Sequence, residues 1–310
     1  MSRLPSLLYN QFSPFFLMKD IVYEYDGSFD GFLCCVYESY TQKENPTGFF
    51  ADEADCTLFD TRYVPTVDAH AKRVYRSFFK NSQVFGPLLQ RAWLTILPEK
   101  ELQLFALIRL FYRLGPAVLQ DLSHETVNTV RRAVRHLEEE AQQLRGFVRF
   151  SEFGGILGAE IEPKNQVLPL LRGHFCSRYR EESFFIYDRT HHEALFYAAH
   201  QSRIVPLQKF QMAAPDEEEA AYRRLWKRFY DTITIREREN PRKRMSDMPK
   251  RYWGTMTEFQ GEDYFVPRCA AGDLNGSVTP SADGAFPKPS VPSGIPEPAT
   301  PPEYGRSAPE

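Results

Sequence analysis

The chain has 310 residues, 42% hydrophobic and 14% aromatic, enough for one large domain or two ordinary ones around a sizeable core. A formal charge of −3 argues neither for nor against nucleic acid. No apolar run approaches the roughly 20 residues that span a bilayer, which excludes a transmembrane helix and a membrane partner. Five cysteines with no CxxC pair fit reduced thiols in the cytoplasm.

Residues 1–19 are apolar and proline-punctuated. They lack the apolar core and cleavage site of a signal peptide and read as an N-terminal extension. "IVYEY" (21–25) alternates like a strand. "DGSFDG" (26–31) breaks it, and "FLCCVYESYTQ" follows with helical spacing. In this junction Gly27 supplies a turn and Ser28 or Asp30 caps the helix. The competing reading gives Asp26 and Asp30 a divalent cation or general acid–base work. Cys34 and Cys35 read as small buried hydrophobes. Residues 45–64 read as a loop with a short strand.

From about 68 to 145 the pattern is helical. Ala71, Val74, Phe78 and Phe79 mark one face, Gly115 caps a second helix, and Val127, Val130, Val134, Leu137 and Leu144 face inward on a long third that ends at Gly146. The period then switches to two. Residues 147–153 and 155–163 read as a hairpin around Gly154-Gly155, 165–179 as a helix starting near Leu168, and "SFFIYDRT" with "HEALFYAAH" as a second hairpin. "DEEEAAYRRLWKRFYDTI" reads as a further helix with Leu225, Trp226, Phe229 and Ile233 inward. Beyond 266 the chain holds ten of its 23 prolines and reads as disordered.

The fold expected is therefore α+β. An antiparallel sheet from two hairpins flanking a helix packs with a mainly helical region, and a disordered Pro-rich tail follows. The boundaries are 1–19 for the extension, 20–265 for one domain (helical part about 66–146, sheet part about 147–235) and 266–310 for the tail.

Charge is unevenly spread. Residues 20–60 hold ten acids and one base, whereas 222–251 hold eleven bases and four acids. The second stretch interleaves Arg and Lys with aromatics, as a phosphate- and base-contacting surface does. Its proline-broken part is the better contact region: Arg242, Lys243, Arg244, Lys250 and Arg251 for phosphates, with Tyr252 or Trp253 stacking on a base. Arg149 counts with these nucleic-acid contacts and, with Arg145, adjoins the first hairpin; His174, Arg178, Arg180, Asp188 and Arg189 lie on or after later elements and could meet it at one rim. His174 with Cys176, and His191 with His192, make no set of three or four ligands, so no metal site or cofactor is expected.

Several stretches in order resemble a bacterial family of unknown function, the domain-of-unknown-function 4130 family, described as probable DNA metabolism or repair proteins. They are "YDGSFDGFLCCVYESY", "GFVRFSEF" then "AEIEPKNQVLPLLRGHFCSRY", "FFIYDRTHHEALFY" and "LWKRFYDTITIRERENPRKRMSDMPKRYW", over about residues 20–255. The motif positions are Tyr25 to Phe32, Arg149, Glu162-Pro163, His174-Phe175, Arg178, Asp188, Asn240-Pro241, Pro249 and Arg251-Tyr252-Trp253. The resemblance implies a DNA-linked role beside a radical S-adenosylmethionine protein, and some members carry a uracil-DNA glycosylase-like domain. This chain shows neither a glycosylase motif nor a CxxxCxxC cluster motif, so either chemistry would belong to a partner. Three functions stay open. One is a DNA metabolism or repair accessory protein that binds nucleic acid or a repair enzyme. Another is an enzyme on damaged bases or nucleotides using Asp26, Asp30, His174 and Arg178. The third is a protein-interaction adaptor without DNA contact.

Overall fold

The computed structural model describes residues 19–51, 60–208, 210, 212, 214–233, 235 and 240–259. The expected N-terminal extension, apart from Lys19, and the expected disordered tail lie outside them.

The first layer is a parallel sheet. Strand β1 (Lys19–Glu24) lies between β2 (Glu44–Phe50) and β3 (Thr61–Tyr63) and runs parallel to both. Ile21, Val22 and Tyr23 are all buried, as a central strand covered on both faces requires. Glu44 is buried beside it and is neutralised locally: Tyr23 donates to it at 2.8 Å and Arg62 pairs with it at 2.7 Å.

Helix α1 (Phe29–Thr41) follows β1 through the glycine turn, where Gly27 has φ +73°. The cap is Ser28, whose hydroxyl accepts from the Gly31 amide at 2.9 Å. Asp30 stands exposed in the first turn. Phe32, Leu33, Cys34, Cys35 and Val36 are buried, and burial raises both thiol pKa values, so these cysteines pack and do not attack.

Helices α2 (Asp68–Asn81), α3 (Phe85–Trp93) and α4 (Lys100–Leu114) complete the first core. Gly115, at φ +77°, ends α4 as expected. Helix α5 (Glu125–Phe147) is the shared beam, about 35 Å long at 1.5 Å per residue. Its Val127, Val130 and Val134 enter the first core, whereas Leu137, Ala141 and Leu144 enter a second one.

That second core lies under a five-stranded sheet in the order β4 (Ser151–Phe153), β5 (Ile156–Ile161), β6 (Phe184–Asp188), β7 (Glu193–Ala198), β8 (Gln201–Pro206). Helix α6 (Leu168–Arg178) begins where the internal proline requires. It buries Leu168, Leu171 and Phe175 in this core.

The expected α+β class holds, but the sheets are not purely antiparallel. The two hairpins form, while β5 pairs parallel with β6. The cause is α6: a helical crossover returns the chain to the end it left, so the next strand runs the same way. Strand β8, antiparallel to β7, extends the second hairpin into a meander. The first strand of the first hairpin is shorter than expected because α5 continues to Phe147.

Candidate nucleic-acid interface

Helix α7 (Glu217–Ile233) docks through its polar groups. Glu219 accepts from the Glu152 amide at 3.3 Å and from Arg223 at 2.8 Å, and Arg223 in turn reaches the Ser151 hydroxyl. The edge strand β4 is thus held by the first turns of α7. Further along, the Trp226 indole donates to Glu258 at 3.2 Å.

This attachment turns the apolar stripe of α7 outward. Tyr222 and Leu225 are 61% exposed, Trp226 40%, Phe229 52% and Ile233 57%. The sequence reading placed Leu225, Trp226, Phe229 and Ile233 inward; the structure exposes Leu225, Phe229 and Ile233, whereas Trp226, one turn beyond Arg223, is partly covered and held by Glu258 and Arg149. Helical spacing did mark one face. Its direction was set by Glu219 and Arg223, whose hydrogen bonds fix which side meets β4. Arg224 and Arg228, also exposed, accompany the stripe.

Rings lead from α7 to half-buried aromatics packed against the second core. Trp226 packs on Phe229 at 5.8 Å between centroids, Tyr230 meets Phe259 at 5.7 Å, and Phe259 stacks on Trp253 at 4.4 Å. Helix α8 (Pro241–Asp247), capped by the Asn240 side chain, carries Arg242 and Lys243 into solvent. Lys243 has an i,i+4 partner in Asp247 at 2.6 Å. Arg244 and Lys250 lie over the Trp253 ring at 5.7 and 5.8 Å, a cation–π arrangement.

The other expected contact residues face inward or are committed. Tyr252 is 1% exposed and lies in the second core. It donates to Glu140 at 3.2 Å and receives a hydrogen bond from Arg251, so its ring offers no face to a base. Arg251 also pairs with Glu140 at 3.3 Å. Arg149 forms a two-pronged ion pair with the buried Glu258, at 3.1 and 2.6 Å, and its guanidinium lies 5.8 Å over Trp226. Burial would raise the Glu258 pKa, but hydrogen bonds from Arg149 and Trp226 and the guanidinium charge hold it below the ordinary glutamate value.

The residues of the enzyme alternative stand on elements with different neighbours, Asp26 and Asp30 at the start of α1 and His174 and Arg178 on α6. Asp26 accepts from the Ser28 amide at 3.0 Å, the Ser28 hydroxyl at 2.6 Å and Thr66 at 2.7 Å. Burial opposes ionisation, yet these hydrogen bonds lower its pKa. It is a buttress for the cap residue. Gly31 is required beside it, because a Cβ there would come within 2.2 Å of the Asp26 carboxylate. Helix α1 packs on α2 and β2, whereas α6, which carries His174 and Arg178, packs on α5, β7 and β8. Burial, then Arg145 and Arg178, lower the His174 pKa. Asp188 is buried and bound to His191 at 2.7 Å, and Arg189 pairs with Glu162 at 2.8 Å. Among the described residues, no group of three or more His, Cys, Asp or Glu is placed to hold a metal ion, and no helix is long and apolar enough to cross a membrane.

A family model described as a domain of unknown function, DUF4130, matches residues 98–258. The matched range holds α5, the five-stranded sheet, α7 and α8; the glycine turn at 26–31 precedes it. No curated protein and no solved structure matches the chain.

Proposed function

The chain belongs to the domain-of-unknown-function 4130 family, and on that premise we propose that it is a DNA metabolism or repair accessory protein that binds single-stranded nucleic acid on the α7–α8 face. One observation carries the reading: exposed Tyr222, Trp226 and Phe229 on α7 lie on one helix with exposed Arg224 and Arg228. Unpaired bases stack on such rings while cations meet the phosphates. Arg242, Lys243 and Lys250 add further exposed charge. The protein would act in the cytoplasm beside a radical S-adenosylmethionine enzyme that supplies the chemistry.

Fluorescence anisotropy with single-stranded and duplex oligonucleotides across a salt series tests this. The expected result is tighter single-strand binding that weakens with salt by about 0.7 log units per log unit for each phosphate contacted. Replacing Arg242, Lys243 and Lys250 with glutamine should flatten that slope. Absence of single-strand affinity at low salt would overturn the reading.

Leu225 and Ile233 on the same stripe favour a second reading, a protein-interaction adaptor, since aliphatic side chains suit a protein surface better than a base. Co-purification of the enzyme partner after nuclease treatment, lost on Leu225→Asp, would support it.

A further inference from the structure

A separate cleft of about 360 Å³ opens between the segment leading into α4, Gln166 ahead of α6, and His191 after β6. That volume falls within the roughly 300–1,000 Å³ of small-ligand sites. One side is apolar, from Leu94, Ile96 and Leu97. Glu99, Lys100, Glu101, Gln166 and His191 supply the polar groups.

Those polar groups are held from behind. His191 Nδ1 lies 2.7 Å from an Asp188 oxygen, and the other Asp188 oxygen accepts the amides of Thr190 and His191 at 2.9 and 3.1 Å. Tyr25 donates to Glu101 at 3.1 Å. The Lys100 ammonium lies 4.4 Å over the Trp93 ring. The Gln166 amide donates to the Leu94 carbonyl at 2.9 Å, and the Ile96 amide donates to Asn165 at 3.1 Å. Glu99 holds a left-handed backbone, φ +48°. A non-glycine residue keeps that conformation only where its surroundings enforce it, and such positions cluster at ligand sites.

The charges select the ligand. Lys100 faces Glu99 and Glu101, and His191, protonated or neutral, sits on the Asp188 carboxylate, so the cleft is net negative in either state. Either balance disfavours a multiply charged anion and suits a neutral, flat ligand with hydroxyls. We propose that the cleft binds a nucleoside. The base lies on the Leu94–Leu97 wall with its edge toward the Gln166 side-chain amide, whose backbone N–H is already bound to Leu94, and the sugar hydroxyls meet the glutamates. The choice of a nucleoside among neutral polar ligands rests on the nucleic-acid reading above.

The test titrates each of the four deoxynucleosides, their 5′-monophosphates and inorganic phosphate separately into the full chain, read by NMR at Ile96 and Leu97. At least one deoxynucleoside should shift these resonances saturably, and inorganic phosphate should not. Gln166→Ala and Glu99→Ala should each weaken binding by about tenfold, the scale of one hydrogen bond to a held group, with an unchanged thermal midpoint. Tighter binding by a monophosphate than by its nucleoside would contradict the charge argument and overturn the inference. No shift with any nucleoside, equal shifts with phosphate alone, or both variants binding like the parent would each overturn the inference. Oligonucleotide binding to α7 is measured in parallel. If it persists while nucleosides fail, this inference alone falls; if it is absent, the nucleic-acid reading falls and with it the reason for choosing a nucleoside.

Discussion

The backbone amide and the side-chain amide of Asn165 both donate to one carboxylate oxygen of Glu140, at 2.9 and 2.7 Å. The other oxygen accepts from the Lys164 amide at 3.0 Å and from Tyr252 at 3.2 Å, and Arg251 lies 3.3 Å away. Glu140 is 3% exposed. One buried charge on α5 therefore ties the turn before α6 to the Lys250–Thr255 segment. Asn165 passes the connection to Ile96 in the cleft wall.

Glu140→Ala should destabilise the fold by about 3–5 kcal/mol, because it leaves Arg251 and the Asn165 donors without their acceptor in a buried site. Tyr252→Phe removes the hydroxyl's two hydrogen bonds, to Glu140 and from Arg251, and should cost about 2 kcal/mol. Urea unfolding measures both. Equal effects of the two substitutions would contradict Glu140 as the hub.

Tyr222 and Phe229 are exposed, so replacing both with alanine should leave the thermal midpoint nearly unchanged; Trp226 stays in place because its indole holds the buried Glu258. Stacking contributes about 1–3 kcal/mol per base. The double variant should therefore lose about tenfold or more in single-strand affinity and much less on duplex. Anisotropy on matched oligonucleotides reads the difference.

The Arg149–Glu258 pair predicts an acid-sensitive term in stability. The folded carboxyl has a lowered pKa, so the pair's contribution is full above the unfolded value of about 4.3 and is lost as pH falls through the folded one. Glu258→Gln should be less stable at neutral pH and show a shallower acid limb in denaturant midpoints. Identical limbs would count against the pair.

For His191 the sign is opposite. Burial pulls its pKa down, but the hydrogen bond and charge of Asp188, with Glu193 and the Lys164 carbonyl, raise it overall. Its contribution is full below the unfolded value of about 6.5 and is lost as pH rises through the higher folded value. NMR titration should find His191 above 6.5, and Asp188→Asn should bring it down.

At the glycine turn, Ser28→Ala should cost about 1 kcal/mol as a lost cap, and Asp30→Ala should stay within about 0.5 kcal/mol, as exposed substitutions do. Gly31→Ala should exceed both, since its Cβ meets Asp26 at 2.2 Å. A larger loss from Asp30→Ala than from Ser28→Ala would reassign the cap.

Local features were legible without the fold. The start of α6 at Leu168, the end of α4 at Gly115 and the inward valines of α5 follow from proline geometry, glycine's left-handed backbone and the helical period. So do the turn at Gly27 and a cap near Ser28. The basic residues 242–250 stood out by composition, and most of them are exposed.

Tertiary structure decided direction and pairing. Parallel β5–β6 pairing depends on where α6 lands. Tyr252 looks like a surface aromatic within a basic run, yet Glu140, 112 residues earlier, draws it into the core. The α7 stripe is visible as a period, but a period has no sign: Glu219 and Arg223 bond to β4 and turn it to solvent. His191 joins Lys100 and Gln166 around one cleft only in the packed chain, where α5 enters both cores. By itself the sequence determined where elements begin and end and which side chains share a face, because those are short-range properties. What covers each face, and which distant charges meet, required the packed chain.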